Sequence, residues 1–175
     1  MLPEAPAVAM VVLAAIAAFT DWRTGEIPNW LTIPPIVVAP LAYLLAYGTP
    51  GMIASLIGIG ACGLVPYVMF RQDAIGGGDV KLFAGLGALG GLSLGIEAQL
   101  FGLTAGVVFA VFTLARKRKV FAMLANAVRL ASNPVLPKAR RTPVEPAAMH
   151  SLRLGLPILI GTVIAVMAQH GYFMQ

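Results

Sequence analysis

The hydrophobic positions of this chain fall into long unbroken runs, not into the alternating or striped patterns of a soluble domain. No Asp, Glu, Lys or Arg occurs between Glu26 and Arg71, and only Glu97 interrupts the stretch from Leu82 to Ala115. The first run is long enough for two bilayer crossings of about 20 residues each. The pattern therefore predicts an all-α, polytopic membrane protein with about six transmembrane helices.

Turn residues divide these runs into separate spans. Gly48-Thr49-Pro50-Gly51 predicts a hairpin within the first run, and Gly95 beside Glu97 predicts a tight turn within the second. The opening apolar run lacks a basic segment before it and a small-residue cleavage site after it, so we expect a first span and not a signal peptide. A single membrane domain over residues 1–175 is expected, with spans near 5–20, 31–48, 52–70, 81–95, 98–115 and 154–173.

Composition excludes a soluble enzyme. Of the 175 residues, 59% are hydrophobic and 11% are charged, whereas soluble domains are typically about 45–50% apolar. The one cysteine, Cys62, rules out an internal disulfide and a cysteine-based zinc site. We expect no metal and no cofactor.

The basic residues predict the orientation in the membrane. All 12 lie in segments 21–30, 71–81 and 116–153, and short loops rich in Lys and Arg are retained in the cytoplasm. We therefore expect a multi-pass protein of the cell (inner) membrane with both termini extracytoplasmic. A basic face toward anionic lipid explains the net charge of +5 without a nucleic-acid partner. The loop 116–153 is interpreted as a short surface helix through Phe121 and Leu124, or as a solvated basic linker.

Two aspartates return to the same predicted membrane face. Asp21 follows the first span and Asp79 precedes the fourth, so one helical hairpin separates them. Taken singly, each aspartate is more often a helix N-cap or a headgroup-level residue than a functional group. Three glycines, Gly76 to Gly78, precede Asp79 and predict positive φ or the close approach of another backbone. Ile27-Pro28-Asn29 predicts a defined turn after Asp21.

Asp21 with Ile27-Pro28-Asn29, followed by Gly76-Gly77-Gly78-Asp79-Val80-Lys81-Leu82, resembles the type IV prepilin peptidases, membrane aspartic proteases of the GxGD class. Because this sequence contains no CxxC pair, it resembles the short Flp, or tight-adherence, form, in which the methyltransferase region is not expected. The resemblance implies an endopeptidase that removes the basic leader of prepilins at the cytoplasmic membrane face, typically after a glycine. It implies that Asp21 and Asp79 are the catalytic pair. The implied partners are a prepilin with a basic leader and an apolar helix, membrane lipid and, as a candidate, the pilus assembly machinery.

Two neighbouring carboxyl groups suit peptide hydrolysis because they share one proton. The ionised group takes a proton from the attacking water, and the protonated group donates to the substrate. Further candidates for substrate binding or loop shaping are Gly76, Gly78, Pro28, Asn29, Lys81 and Glu26. Lys81 is interpreted either as a group that tunes the pair or holds leader carbonyls, or as a side chain that snorkels to headgroups. Glu26 either attracts a basic leader or is a solvated loop charge.

Two other classes of function remain open from the sequence. In a small transporter or channel, Asp21 and Asp79 would bind a cation or relay protons. A non-enzymatic subunit of a secretion system would need neither carboxylate. Only a protease would shorten a prepilin in a purified system, so that observation separates the three.

Overall fold

A computed structural model describes residues 4–72, 74–116 and 153–169. In this part of the chain the regular structure consists of four helices: α1 Glu4–Thr24, α2 Asn29–Phe70, α3 Gly77–Arg116 and α4 Gly155–Gln169. The first two and residues 77–113 of α3 are long and apolar enough to cross a membrane, and α4 is a shorter apolar helix. The predicted all-α membrane fold is thus confirmed. The predicted surface helix near Phe121 lies outside the described residues.

Each of the two long helices is broken at a glycine. Gly48 in α2 has φ 70° and Gly91 in α3 has φ 65°, a left-handed conformation that costs residues with a side chain about 1–2 kcal/mol. The first break falls within the predicted hairpin. The second does not fall between residues 95 and 98 as expected, because Gly95 is helical and packs tightly against Gly87 and Cys62.

The break at Gly48 reverses the direction of α2. In its first arm (29–47), Asn29 contacts Lys81 and the Tyr43 hydroxyl donates to the carbonyl of Leu89, so this arm runs parallel to the start of α3. In the second arm (49–70) the order is opposite. There the Ser55 hydroxyl donates to the carbonyl of Ala88, whereas Phe70 lies near Gly77. The two arms therefore form a helical hairpin.

The break at Gly91 likewise folds α3 back on itself. Its second arm (92–116) runs antiparallel to α4, since Ser93 accepts a hydrogen bond from Gln169 at one end and Gly106 lies near Leu154 at the other. Within the described chain, six helical arms thus alternate in direction, which suits six membrane crossings. The six crossings themselves stay a prediction.

The first arm of α3 (77–90) lies at the centre of the molecule. Leu82, Phe83 and Leu86 are fully buried there and pack with Met10 of α1 and Ile158 of α4. Many large apolar side chains on the outer arms are exposed instead. A chain of such apolar helices with exposed apolar outer faces is an integral membrane protein.

Candidate active site

Asp21 lies in the last turn of α1, with its side chain buried in the protein at 6% exposure. Its Oδ2 accepts a hydrogen bond of 2.8 Å from the backbone N–H of Gly155, the first residue of α4. The guanidinium of Arg153 is close enough to interact electrostatically with the carboxylate. The Asp21 side chain therefore does not cap α1, because its partners lie at the start of α4 and in the segment just before it.

Asp79 lies in the first turn of α3 and is partly buried. Its Oδ2 accepts a hydrogen bond of 3.1 Å from the backbone N–H of Gly76, three residues earlier. A carboxylate that reaches back in this way closes the first turn of a helix, as the acidic member of a capping box does. The bond fixes the direction of the side chain, and within the described residues no donor forms a hydrogen bond to the second carboxylate oxygen.

The two aspartates line one cavity of about 560 Å³ and are close enough for their charges to interact. Of the other predicted site residues, all but one also line this cavity. The five that line it are Glu26, Pro28, Asn29, Gly76 and Gly78. Two chain segments that are distant in sequence therefore form one acidic site.

The exception is Lys81, which is not among the residues that line the cavity. Its Nζ donates a 2.6 Å hydrogen bond to Oδ1 of Asn29. Because Oδ1 is the acceptor of the amide, this bond leaves the Asn29 NH₂ group available to donate. The Lys81 side chain thus ties the start of α3 to the start of α2 and orients a polar group at the edge of the cavity.

Pro28 shapes the turn that follows Asp21. It has φ −74° and ψ 149° and precedes the first residue of α2. Its carbonyl accepts hydrogen bonds from the backbone N–H groups of Leu31 and Thr32. The extended residue therefore starts α2 sharply and keeps Asn29 beside the site.

The triple glycine permits close packing but does not adopt positive φ. The positive-φ glycines of the described chain are Gly25, Gly48 and Gly91. A side chain at Gly78 would place its Cβ 3.0 Å from Cβ and 3.1 Å from O of Ile27. The expected positive φ is thus wrong for Gly76 to Gly78, whereas the expected close backbone approach is present at Gly78. This contact joins the two halves of the site, the segment that follows Asp21 and the segment that leads into Asp79.

Two parts of the site were missed by sequence reasoning. Leu103, Gly106, Val107 and Ala110, on the second arm of α3, form an apolar side of the cavity. Their helical spacing was visible, but an apolar face in a membrane span looks the same whether it faces lipid or a cavity. The contact of Gly155 with Asp21 was also missed. The position of Arg153 just before the last span, on the predicted cytoplasmic face, was the available signal.

An all-helical membrane protein with two aspartates in one cavity has the groups that acid–base hydrolysis requires. The model of the type IV leader peptidase family matches residues 8–113, which include both aspartates. The chain belongs to this family and is a peptidase. Comparisons with curated proteins and with solved structures gave no match.

Proposed function

We propose that this protein is an aspartic endopeptidase that removes the basic leader of type IV, Flp-like prepilins at the cytoplasmic face of the membrane. Asp21 and Asp79 would be the catalytic pair. The observation that carries the proposal is their placement in one cavity, close enough to interact electrostatically. The family match supports a leader peptidase in general.

The reaction needs one carboxylate and one carboxylic acid. The carboxylate removes a proton from a water molecule as the water oxygen attacks the scissile carbonyl carbon. The carboxylic acid donates its proton to the carbonyl oxygen as the tetrahedral intermediate forms. The C–N bond then breaks as the first carboxyl group passes the proton taken from water to the leaving amine, and one hydroxyl of the intermediate returns a proton to the second carboxylate. Two carboxyl groups that interact electrostatically disfavour double ionisation, so the pair would share one proton, as this scheme requires.

The lining of the cavity suits a substrate with a basic leader followed by an apolar helix. Glu26 adds a third acidic side chain beside Asp21 and Asp79 and would attract the leader. The apolar side formed by Leu103, Val107 and Ala110 would receive the first residues of the substrate helix. Asn29, held by Lys81, would donate to a carbonyl of the extended peptide.

The proposed location is the cell (inner) membrane, crossed several times, with both termini outside the cytoplasm. The Lys and Arg distribution supports this orientation. The site lies between the last turn of α1, which contains Arg23, and the first turn of α3. The leader would therefore be cut on the cytoplasmic side, where prepilins and the pilus assembly machinery would meet the enzyme.

The test uses the full chain in liposomes with a synthetic probe. The probe has a short basic leader ending in glycine, followed by an apolar helix of about 20 residues. We expect mass spectrometry to show cleavage after the glycine by the natural protein. Asp21→Asn and Asp79→Asn should each lower kcat by about 10²–10⁴-fold, the usual contribution of general acid–base catalysis.

Glu97→Gln is the matched control, because it also replaces a carboxylate by an amide but lies beyond the break in α3, away from the cavity. It should cleave at the natural rate. Near-natural cleavage by either aspartate variant would remove that residue from the catalytic pair. An intact probe, together with cation or proton flux that requires both aspartates, would favour the transporter instead.

A further inference from the structure

The segment that leads into α4 contacts Asp21 through its backbone. The N–H of Gly155 donates to Asp21 Oδ2 at 2.8 Å, and this bond is buried. The N–H groups of a first helical turn lack partners within their own helix, and the N-terminus of a helix favours negative charge. The start of α4 therefore satisfies one of its own backbone donors with the carboxylate of the proposed catalytic pair.

Arg153 makes a second and independent link to the same end of α1. Its Nη1 donates to the carbonyl of Trp22, the residue after Asp21. The side chain is otherwise exposed, and its positive charge acts on the Asp21 carboxylate. One arginine thus joins the start of α4 to α1 and places a cation near Asp21 but not in the cavity lining.

Gly155 is packed so closely that a larger residue does not fit. A Cβ at this position would lie 2.9 Å from Cα of Ala18, 2.9 Å from Cβ of Asp21 and 3.0 Å from Asp21 Oδ2. Both Ala18 and Asp21 are buried on α1. A side chain at Gly155 would therefore push the carboxylate away from its N–H donor.

We propose that Arg153 and Gly155 are positioning residues that hold Asp21 as the ionised member of the catalytic pair. Asp79 then carries the shared proton. The catalytic meaning of this inference rests on the proposed function. Both residues lie outside the part of the chain that the family model matches, residues 8–113. Through their contacts with Asp21 and Trp22, the start of α4 and the segment before it contribute to the site.

Burial has the largest effect on the ionisation of Asp21, and the charged groups on the elements that face it modify that effect. Among the described residues they are Asp79 and Lys81 at the start of α3, Glu26 in the loop before α2, and Arg153 before α4. Asp79 is the proposed partner with which Asp21 would share one proton. A clean measurement on Asp21 therefore uses the Asp79→Asn background, in which the pair cannot titrate jointly.

The first experiment needs no substrate. The carboxyl C=O infrared band of Asp21 is followed against pH in the Asp79→Asn protein, and the spectrum of the Asp21→Asn/Asp79→Asn protein is subtracted. Adding Arg153→Gln should move the midpoint up by about half a pH unit, because a nearby cation that favours the carboxylate is lost. Arg153→Lys should restore the midpoint, since it keeps the charge.

Arg23→Gln is the matched control, because Arg23 is an exposed arginine in the same last turn of α1. It should leave the midpoint within error of the parent protein. An unchanged midpoint in Arg153→Gln would overturn the inference. An equal shift of the midpoint in Arg23→Gln would also overturn the inference, because any nearby surface charge would then have the same effect as Arg153.

The second experiment measures kinetics with both aspartates present. Gly155→Ala should lower kcat for the prepilin-like probe at least ten-fold with little change in KM, whereas Gly60→Ala, where a Cβ meets open space, should not. Arg153→Gln should shift the pH profile of kcat upward, and a merely structural residue would lower kcat equally at all pH values. Natural kinetics in both variants would overturn the inference. Failure of the natural protein to cut the probe would overturn the proposed function, and the infrared midpoints would still decide the positioning of Asp21.

Discussion

Gly78→Ala tests the contact that joins the two halves of the site. The added methyl carbon would lie 3.0 Å from Cβ and 3.1 Å from O of Ile27. Carbon atoms in favourable contact are about 3.5–4.0 Å apart. Ile27 must therefore retreat by a few tenths of an ångström. It would carry Pro28 and Asn29 with it, and both line the cavity.

The expected loss follows from that displacement. Overpacking by one methyl group typically costs about 1–3 kcal/mol in stability, which an otherwise intact bundle of helices should tolerate. Catalysis is more sensitive, since a misplacement of about 1 Å can lower a rate 10²-fold. Because the displacement is smaller than that, we expect Gly78→Ala to remain folded and to lower kcat for the prepilin-like probe by about 10-fold.

Gly77→Ala provides the matched control one residue away. Its Cβ would meet ring carbons of Phe70 at 3.4 Å or more, which is ordinary contact with a side chain that can adjust. Both variants are compared in liposomes by the initial rate of cleavage, with size-exclusion chromatography to check folding. Natural activity in folded Gly78→Ala would refute the reasoning. Equal losses of activity in both variants would mean that the first turn of α3 requires glycine at both positions. The contact between Gly78 and Ile27 would then not be the cause.

Two further predictions concern the fold. Gly87→Ala should leave little monodisperse protein on size-exclusion chromatography, because any Cβ there overlaps the backbone oxygen of Gly58; normal recovery would show that these arms separate easily. Single cysteines in a Cys62→Ser background at Thr49 and at Arg71, both exposed, should react with a membrane-impermeant reagent from opposite sides, Thr49 from outside. Labelling of both from one side would contradict the hairpin orientation of α2.

Much of the fold could be predicted from the sequence because a membrane restricts what an apolar chain can do. Backbone groups in lipid must be hydrogen-bonded within the chain, so long apolar runs become helices. The turn at Gly48 was predictable because it coincides with a cluster of turn residues. Asp21 and Asp79 could be placed on one face because a single helical hairpin lies between them. Five of the predicted site residues that line the cavity lie within or next to the two short motifs that contain these aspartates, namely Glu26, Pro28, Asn29, Gly76 and Gly78.

The remaining features were decided by contacts between distant segments. The turn in α3 was predicted at Gly95 beside Glu97, but Gly95 packs against Gly87 and Cys62 and Gly91 adopts the positive φ instead. Lys81 was interpreted from its own position, but its partner Asn29 lies on another helix. The hydrogen bond from Gly155 to Asp21 joins residues at opposite ends of the chain. No local pattern encodes such a contact, because a backbone N–H is the same in every residue except proline, and only the folded chain determines which acceptor it meets.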